Sequence, residues 1–343
     1  MDSIGSVGPA EPNSLADIVE RLEIGDELFW DAQHLGPSDE WIGHIPFAFW
    51  LVRALRPAIV VARGGIDSNS YLALCQAISA FGLACRAFAI TPSEDRAASA
   101  CSPDAARYPN PSYTRFSTVL ELEPSLTKSR FQAGSIDLVH IDAASPGQTA
   151  RQALESLSGG LSERSVVLID NTAPHFADHD VRQLWSELAG SHPHFEFLHA
   201  GGLGVVGTGK HFPRPVRELF ALAGHADGVR RARSLFALSG ESLALRHATL
   251  RLKDQFSLRG RLYAGARQRI KELEQGLQTR LAEGGRMRGE LDSLRQGLAA
   301  QDEQINRMIK SASWRVTWPL RWFSGEAKRV ARSILGPIGR DIT

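Results

Sequence analysis

Cysteine and net charge are both scarce. The three cysteines, Cys75, Cys85 and Cys101, show no metal-ligand spacing, and Cys75 and Cys85 sit in apolar surroundings as reduced core residues do. The formal net charge is +1, which removes any global electrostatic case for binding nucleic acid or an acidic substrate. No stretch reaches the roughly 20 apolar residues that a membrane-spanning helix requires. The N-terminus is acidic and proline-bearing, with no apolar run behind a basic start, so it does not read as a secretory signal. These absences predict a cytoplasmic protein, with a peripheral contact at the inner membrane left open by the C-terminal tail.

What is present is 343 residues, 43% of them hydrophobic and 22% charged, enough for one ordinary core and something more. The stretch from Pro57 to Tyr71 organises the rest. Ile59 to Ala62 is a short, β-branched, apolar run. Gly64 and Gly65 follow as a turn, and a helix opens at about Ser68. Such a strand–turn–helix leaves backbone N–H groups at a helix N-terminus, where the chain can approach a ligand closely. In α/β sheets that position, at the carboxyl end of a strand, is where ligands bind.

Around it, strand and helix patterns alternate. Residues 1–13 are rich in Gly, Pro and Ser and predict disorder. Ser14 caps an amphipathic helix with Leu15, Ile18, Val19 and Leu22 on one face. Trp41 to Leu55 and Tyr71 to Phe81 have helical period. Strands are expected at Arg86–Ile90, Phe116–Leu122, Ser135–Asp142 and Ser165–Ile169. Helices are expected at Thr149–Leu157 and Asp178–Leu188. Phe195–His199 and Leu203–Val206 flank Ala200-Gly201-Gly202 as a hairpin. The fold class that follows is α/β: a Rossmann-like, mostly parallel sheet with a terminal antiparallel hairpin, then a long helical or coiled-coil extension.

The extension carries Ile270, Leu277, Leu291, Leu298 and Ile305 at one heptad position, with Leu273, Met287, Leu294 and Met308 three residues later. Arg280, Gly284 and Gln301 interrupt the series. This argues for a coiled coil and a homo-oligomer; a long helix folded back on the globular part is the alternative. Trp314, Trp318 and Trp322 then alternate with Arg315 and Arg321, a pattern suited either to a lipid–water boundary or to a partner protein. The expected organisation is an arm and helix at 1–34, the sheet domain at 35–212, a helical linker at 213–268, the coiled coil at 269–310 and a basic Trp/Arg tail at 311–343.

The segments Trp41-Ile42-Gly43-His44-Ile45-Pro46-Phe47, Gly134-Ser135-Ile136-Asp137-Leu138-Val139-His140-Ile141-Asp142, Pro193-His194-Phe195-Glu196-Phe197 and Gly202-Leu203-Gly204-Val205-Val206-Gly207 carry a family likeness. The region from about Trp41 to Gly209 resembles a class I S-adenosylmethionine-dependent methyltransferase domain. It is of the kind attached to bacterial surface-polysaccharide glycosyltransferases. The coiled coil and Ser313 to Arg321 resemble the connector ahead of the glycosyltransferase modules in such polypeptides. The cofactor motif is degenerate. Ala62 and Arg63 precede Gly64 where the family has an acidic residue, Asn69 stands where a later glycine is expected, and Thr91 ends the second strand in place of a carboxylate.

The resemblance implies S-adenosylmethionine as cofactor, lined by Gly64, Gly65, Asp67, Ser68 and Thr91. Asp142, Asp170 and Asn171 end neighbouring strands. They are similar to the set that holds Mg²⁺ in metal-dependent O-methyltransferases, where the ion favours a deprotonated hydroxyl. The same three residues are therefore the expected catalytic group; capping of the local turns is the alternative. His175 and His179, four apart, could share a helix face, but read more simply as surface or packing residues, and the glycines after 200 read as turn residues. The expected activity is O-methylation of a sugar or glycan precursor, with a glycan or small-molecule acceptor and a glycosyltransferase partner. The rival is a catalytically inactive scaffold of the same fold that assembles polysaccharide enzymes through its coiled coil.

Overall fold

The computed structural model describes residues 14–36, 41–64, 68–91, 111–121, 129–143, 149–176, 178–313, 315–317 and 319. The expected disorder at 1–13, Gly65, Asp67, Cys101 and the tryptophans of the tail lie outside them. Two compact units result, residues 1–253 and 254–343.

In the first unit, Ser14 caps helix α1 (Leu15–Arg21) through a reciprocal capping box with Asp17. Ile18 and Leu22 of its apolar face are buried, while Leu15 stays exposed. Helix α2 (Ile45–Leu55) follows a 3₁₀ turn at Ile42–His44 and has Pro46 in its first turn, where a missing N–H costs nothing. It is buried almost all round, and Trp50 donates its indole N–H to the Leu22 carbonyl at 2.7 Å. Strand β1 (Ile59–Arg63), helix α3 (Asn69–Ala80), β2 (Arg86–Thr91) and β3 (Ser117–Glu121) come next. Then follow β4 (Ile136–Ile141), α4 (Ala150–Leu157), β5 (Leu161–Asp170), α5 (His179–Ser191), β6 (His194–Phe197) and β7 (Leu203–Gly207).

The seven strands lie in the order β3-β2-β1-β4-β5-β7-β6. All pairs among the first five are parallel; β7 runs antiparallel to both β5 and β6. The expected mostly parallel, Rossmann-like sheet with a closing antiparallel hairpin is therefore present. The central strands β1, β4 and β7 and the second half of β5 are buried on both faces, as a sheet covered by helices requires. The two-residue period sorts the side chains. Val60, Ala62, Ala87, Ala89, Leu138, Val166 and Leu168 join the core under α2 and α3. Val61, Phe88, Ile90, Val139, Ile141, Val167 and Ile169 join the core under α4 and α5.

Helix α6 (Arg214–Ala221) and the first part of α7 (Ala226–Lys310) complete the first unit. Val216, Leu219, Phe220 and Phe236 are buried in the α2 core. Phe236 packs edge-on against Phe47 and Phe197, with centroids 5.4 and 5.5 Å apart. At Gly240 the helix comes so close to the 3₁₀ turn that a Cβ would overlap the Gly43 carbonyl. Of the second unit, the described part is the remainder of α7 and a few residues beyond it, and its large apolar side chains are exposed. No helix among the described residues is long and apolar enough to cross a membrane.

Candidate functional site

The sheet order reverses between β1 and β4, because β1 is followed on one side by β2 and β3 and on the other by β4 and β5. In open α/β sheets the ligand crevice lies at such a reversal, outside the carboxyl ends of the two strands. Gly64 stands at the tip of β1, with φ +150, and its N–H donates to the Ile90 carbonyl at the tip of β2. Asp142 stands at the tip of β4, and its N–H donates to the Arg63 carbonyl at 3.0 Å. A Cβ on Gly64 would lie 3.1 Å from the Asp142 Cβ and 3.3 Å from its Oδ2. Glycine at 64 thus lets a carboxylate lie directly against the first strand's tip.

The other expected cofactor residues divide. Thr91 is the last residue of β2, half-buried at the same edge of the sheet. Ser68 acts as the N-cap of α3, its Oγ accepting from the Tyr71 N–H at 3.3 Å. Asn69, which stands where the family likeness led to a glycine, has a structural task. Its Oδ1 accepts from the Gly36 N–H at 2.8 Å, while Gln76 holds Gln33 and Asp31 of the same segment. Arg63, at the position where an acidic residue was expected, is buried.

Asp170 and Asn171 end β5, but they do not present an open acid–amide pair. Asp170 is buried, and its two oxygens are taken by protein donors: the Trp41 indole N–H at 2.6 Å and His140 Nε2 at 3.0 Å. Asn171 adopts φ +58, donates its N–H to the Gly202 carbonyl at 3.0 Å, and turns its Oδ1 toward Gly201. Neither is a cap of its local turn: the partners of Asp170 lie 129 and 30 residues away, and that of the Asn171 N–H is Gly202. Among the described residues no group of three or more His, Cys, Asp or Glu side chains is placed to hold a metal ion. Each Asp170 oxygen already accepts from a protein N–H, whereas a divalent cation asks for several open oxygen ligands. The arrangement thus lends no support to Mg²⁺ at Asp142, Asp170 and Asn171.

In place of the cation stands a buried histidine cluster that the sequence reading missed. Burial alone would depress His140, but the charge and hydrogen bond of Asp170, with the charge of Asp142, hold it above the ordinary histidine range. Trp41 packs edge-on over the His140 ring at 5.3 Å and beside His44 at 5.7 Å. Burial, reinforced by His199, pushes His44 down to about 3. Neither His44 ring nitrogen has a hydrogen-bond partner among the described residues. His199 is half-buried, is likewise lowered by burial, and donates Nε2–H to the Gly43 carbonyl at 3.1 Å. Asp170 thus holds His140 above the ordinary histidine range, while burial pushes His44 and its neighbour His199 below it. A signal existed in the sequence: His140 and Asp142 share a strand face by the two-residue period, and Asp170 ends the adjacent strand. By contrast, His175 and His179 are exposed, as expected of surface residues, and Gly201 and Gly202 form the tight turn before β7 with φ +86 and +91.

No family model matches the chain. It is 34% identical over 178 residues to the uncharacterized protein y4gI of Sinorhizobium fredii (strain NBRC 101917 / NGR234), a match covering 51% of this chain. The match spans 20% of that relative's length. Among solved structures, the chain is similar to a methyltransferase from Geobacter sulfurreducens, with 15% identity and a TM-score of 0.34, over 59% of this chain and 92% of the other. It is similar to the SAH-bound Podospora anserina methyltransferase PaMTH1, with 13% identity and a TM-score of 0.36, over 59% and 98%. It is also similar to spermidine synthase from Thermotoga maritima, with 13% identity and a TM-score of 0.36, over 53% and 62%.

Proposed function

We propose that residues up to about 253 form an S-adenosylmethionine-dependent methyltransferase whose cofactor edge is the crevice between β1 and β4. The observation that carries this reading is the Gly64–Asp142 juxtaposition at the point where the strand order reverses. A carboxylate there suits an ammonium group, and the glycine removes the side chain that would hold the ligand away. Thr91 supplies a hydroxyl at the end of β2, where a carboxylate would bind ribose more strongly. When bound, the cofactor supplies an activated methyl group for in-line displacement, so the protein's part is to align donor and acceptor. Asp142 serves in this reading as a positioning carboxylate, and no step runs through a metal ion. The acceptor is a hydroxyl of a sugar or glycan precursor, in the setting of surface-polysaccharide synthesis with a glycosyltransferase partner.

A second reading, a scaffold of this fold without turnover, is favoured by Arg63. Arg63 stands where the family likeness leads to an acidic residue, so a carboxylate that would favour a cationic ligand is missing at the tip of β1. Calorimetric titration with S-adenosylmethionine and S-adenosylhomocysteine separates the two. The enzyme reading expects saturable binding that falls about tenfold or more in Asp142→Asn and is lost in Gly64→Val, whose Cβ would press on Asp142. Absence of heat at millimolar ligand, with the thermal transition intact, removes it and leaves the scaffold.

A further inference from the structure

The second unit shows a different kind of surface. Between 254 and 310, α7 repeats apolar residues at heptad spacing. Phe256, Tyr263, Ile270, Leu277, Leu291, Leu298 and Ile305 occupy position a; Leu273, Met287, Leu294 and Met308 occupy position d. Each of these eleven is more than half exposed, from 52% for Ile305 and Met308 to 68% for Tyr263. The same stretch holds Gly260, Gly265, Gly276, Gly284, Gly285, Gly289 and Gly297, each costing about 1 kcal/mol of helix stability relative to alanine. A lone helix so interrupted lacks the propensity to stand in water; its stability has to come from covering the apolar stripe.

The flanking charges say what covers it. With Ile270 at a, position g holds Arg269, Glu283 and Glu290, and position e holds Glu274, Arg288 and Arg295. When two copies lie parallel and in register, each g residue faces the e residue five positions further along the other copy. Arg269 then meets Glu274, Glu283 meets Arg288, and Glu290 meets Arg295. No g–e pair between 262 and 309 sets like charges opposite each other. An antiparallel pairing that puts Arg280 opposite Gly284 instead sets Glu283 against itself and Arg267 against Arg295. In the single chain Glu283, Arg288 and Glu290 have no ion-pair partner among the described residues, while Arg269 and Arg295 make exposed contacts to Glu272 and Asp292 at 3.3 and 3.7 Å. Exposed pairs of that kind exchange easily.

We propose that residues 256–308 form a parallel, in-register, two-stranded coiled coil with a second copy of this chain. Arg259, Arg280 and Gln301 fall at d exactly three heptads apart. They weaken the seam at intervals and fix its register, since a slip would bury a guanidinium against leucine. Gly284, one turn after Arg280, leaves a gap at a into which the arginine stems can fold while their charged ends reach water.

Sedimentation equilibrium of the full chain tests the proposal with two variants. Glu283→Arg with Glu290→Arg turns two attractive pairs per helix into repulsive ones; Arg288→Glu with Arg295→Glu does the same with the opposite sign. Each alone is expected to raise the dimer dissociation constant about tenfold or more, and an equimolar mixture to recover a dimer containing one of each. The recovery rules out simple unfolding as the cause of the loss. Leu298→Cys, in a Cys101→Ser background, is expected to form a symmetric disulfide across the seam. A monomer at about 100 μM chain, where any dimer with a dissociation constant in the micromolar range would be populated, or variants that dimerise as the parent does, would overturn the proposal. So would a cysteine at 298 that crosslinks to Ala266→Cys and not to its own copy.

Discussion

One helix, α7, lives in two environments, and the contrast between them separates what a glycine or a leucine means. In the first unit, Gly240 is a contact point: the helix backbone presses on the Gly43 carbonyl, and Phe236 and Leu243 are buried nearby in sequence. In the second, Gly265 has nothing within 4 Å of where a Cβ would sit, and leucines at heptad spacing face outward. Helical period is common to both. What differs is whether the chain itself supplies the surface that covers the stripe. In the first unit the sheet and α2 do so; in the second, the covering surface belongs to another copy under the proposal above.

The contrast can be broken hardest at Asp170. Asp170→Ala strips the partner from the buried Trp41 N–H and from the buried His140 ring, and is expected to destabilise the first unit by about 3 kcal/mol or more. Trp41→Phe, which removes one neutral donor, should cost clearly less. Paired urea unfolding of the two variants measures the difference; equal small losses would mean that the carboxylate is not holding the cluster. A charge of the same sign in the second unit, Glu283, is exposed, and its removal should leave this transition where it is.

The glycine comparison comes next. Gly240→Ala is expected to destabilise the first unit by roughly 3 kcal/mol through overlap with backbone that cannot rotate away. Gly265→Ala, on the same helix, should stabilise it by up to about 1 kcal/mol. Differential scanning calorimetry of the pair reads both shifts, and the same sign for both would erase the distinction between the two environments.

Acid provides the most specific effect. His44 is lowered to about 3 in the folded chain, so below about 6.5 the unfolded chain takes up a proton that the folded chain refuses. Stability is therefore full above that value and falls as pH drops, by about 2 kcal/mol between pH 6.5 and 5. His199, also lowered, acts in the same direction. His140, raised, acts in the opposite sense: its contribution is complete below about 6.5 and is lost as pH climbs through its folded value. His44→Phe should flatten the acid limb of a stability–pH curve and leave the alkaline limb unchanged. The helix of the second unit, followed by circular dichroism, should not share that acid limb.

Much of the sheet was legible in the sequence, and the reason is local. Ile59 to Ala62, Ile136 to Ile141 and Val166 to Ile169 are apolar runs too short for helices and too continuous for exposed strands. Ser14, Ser68, Thr149 and Asp178 each stand one residue before a helix and cap it. The site was legible only in part. Gly64 and Asp142 were visible as a turn glycine and a strand-end carboxylate. Asp170 was visible too, but its partners Trp41 and His140 lie 129 and 30 residues away, and no spacing rule joins them. Asn69 read as a lost glycine, since only the fold brings Gly36 to its amide. Phe236 lay in a stretch that read simply as a helical linker, and its packing on Phe47 and Phe197 could not be inferred from period.

The sequence by itself determined which segments would be strands and helices, which faces would seek burial, and that a heptad stripe would follow the sheet. Those properties reside in the nearest few residues, where propensity, capping and period act. Tertiary structure alone decided that Asp170 would serve a tryptophan and a histidine, leaving Asp142 as the carboxylate at the first strand's tip. Which donors a strand-end carboxylate meets is fixed by strand order and register, which bring together residues far apart in the chain.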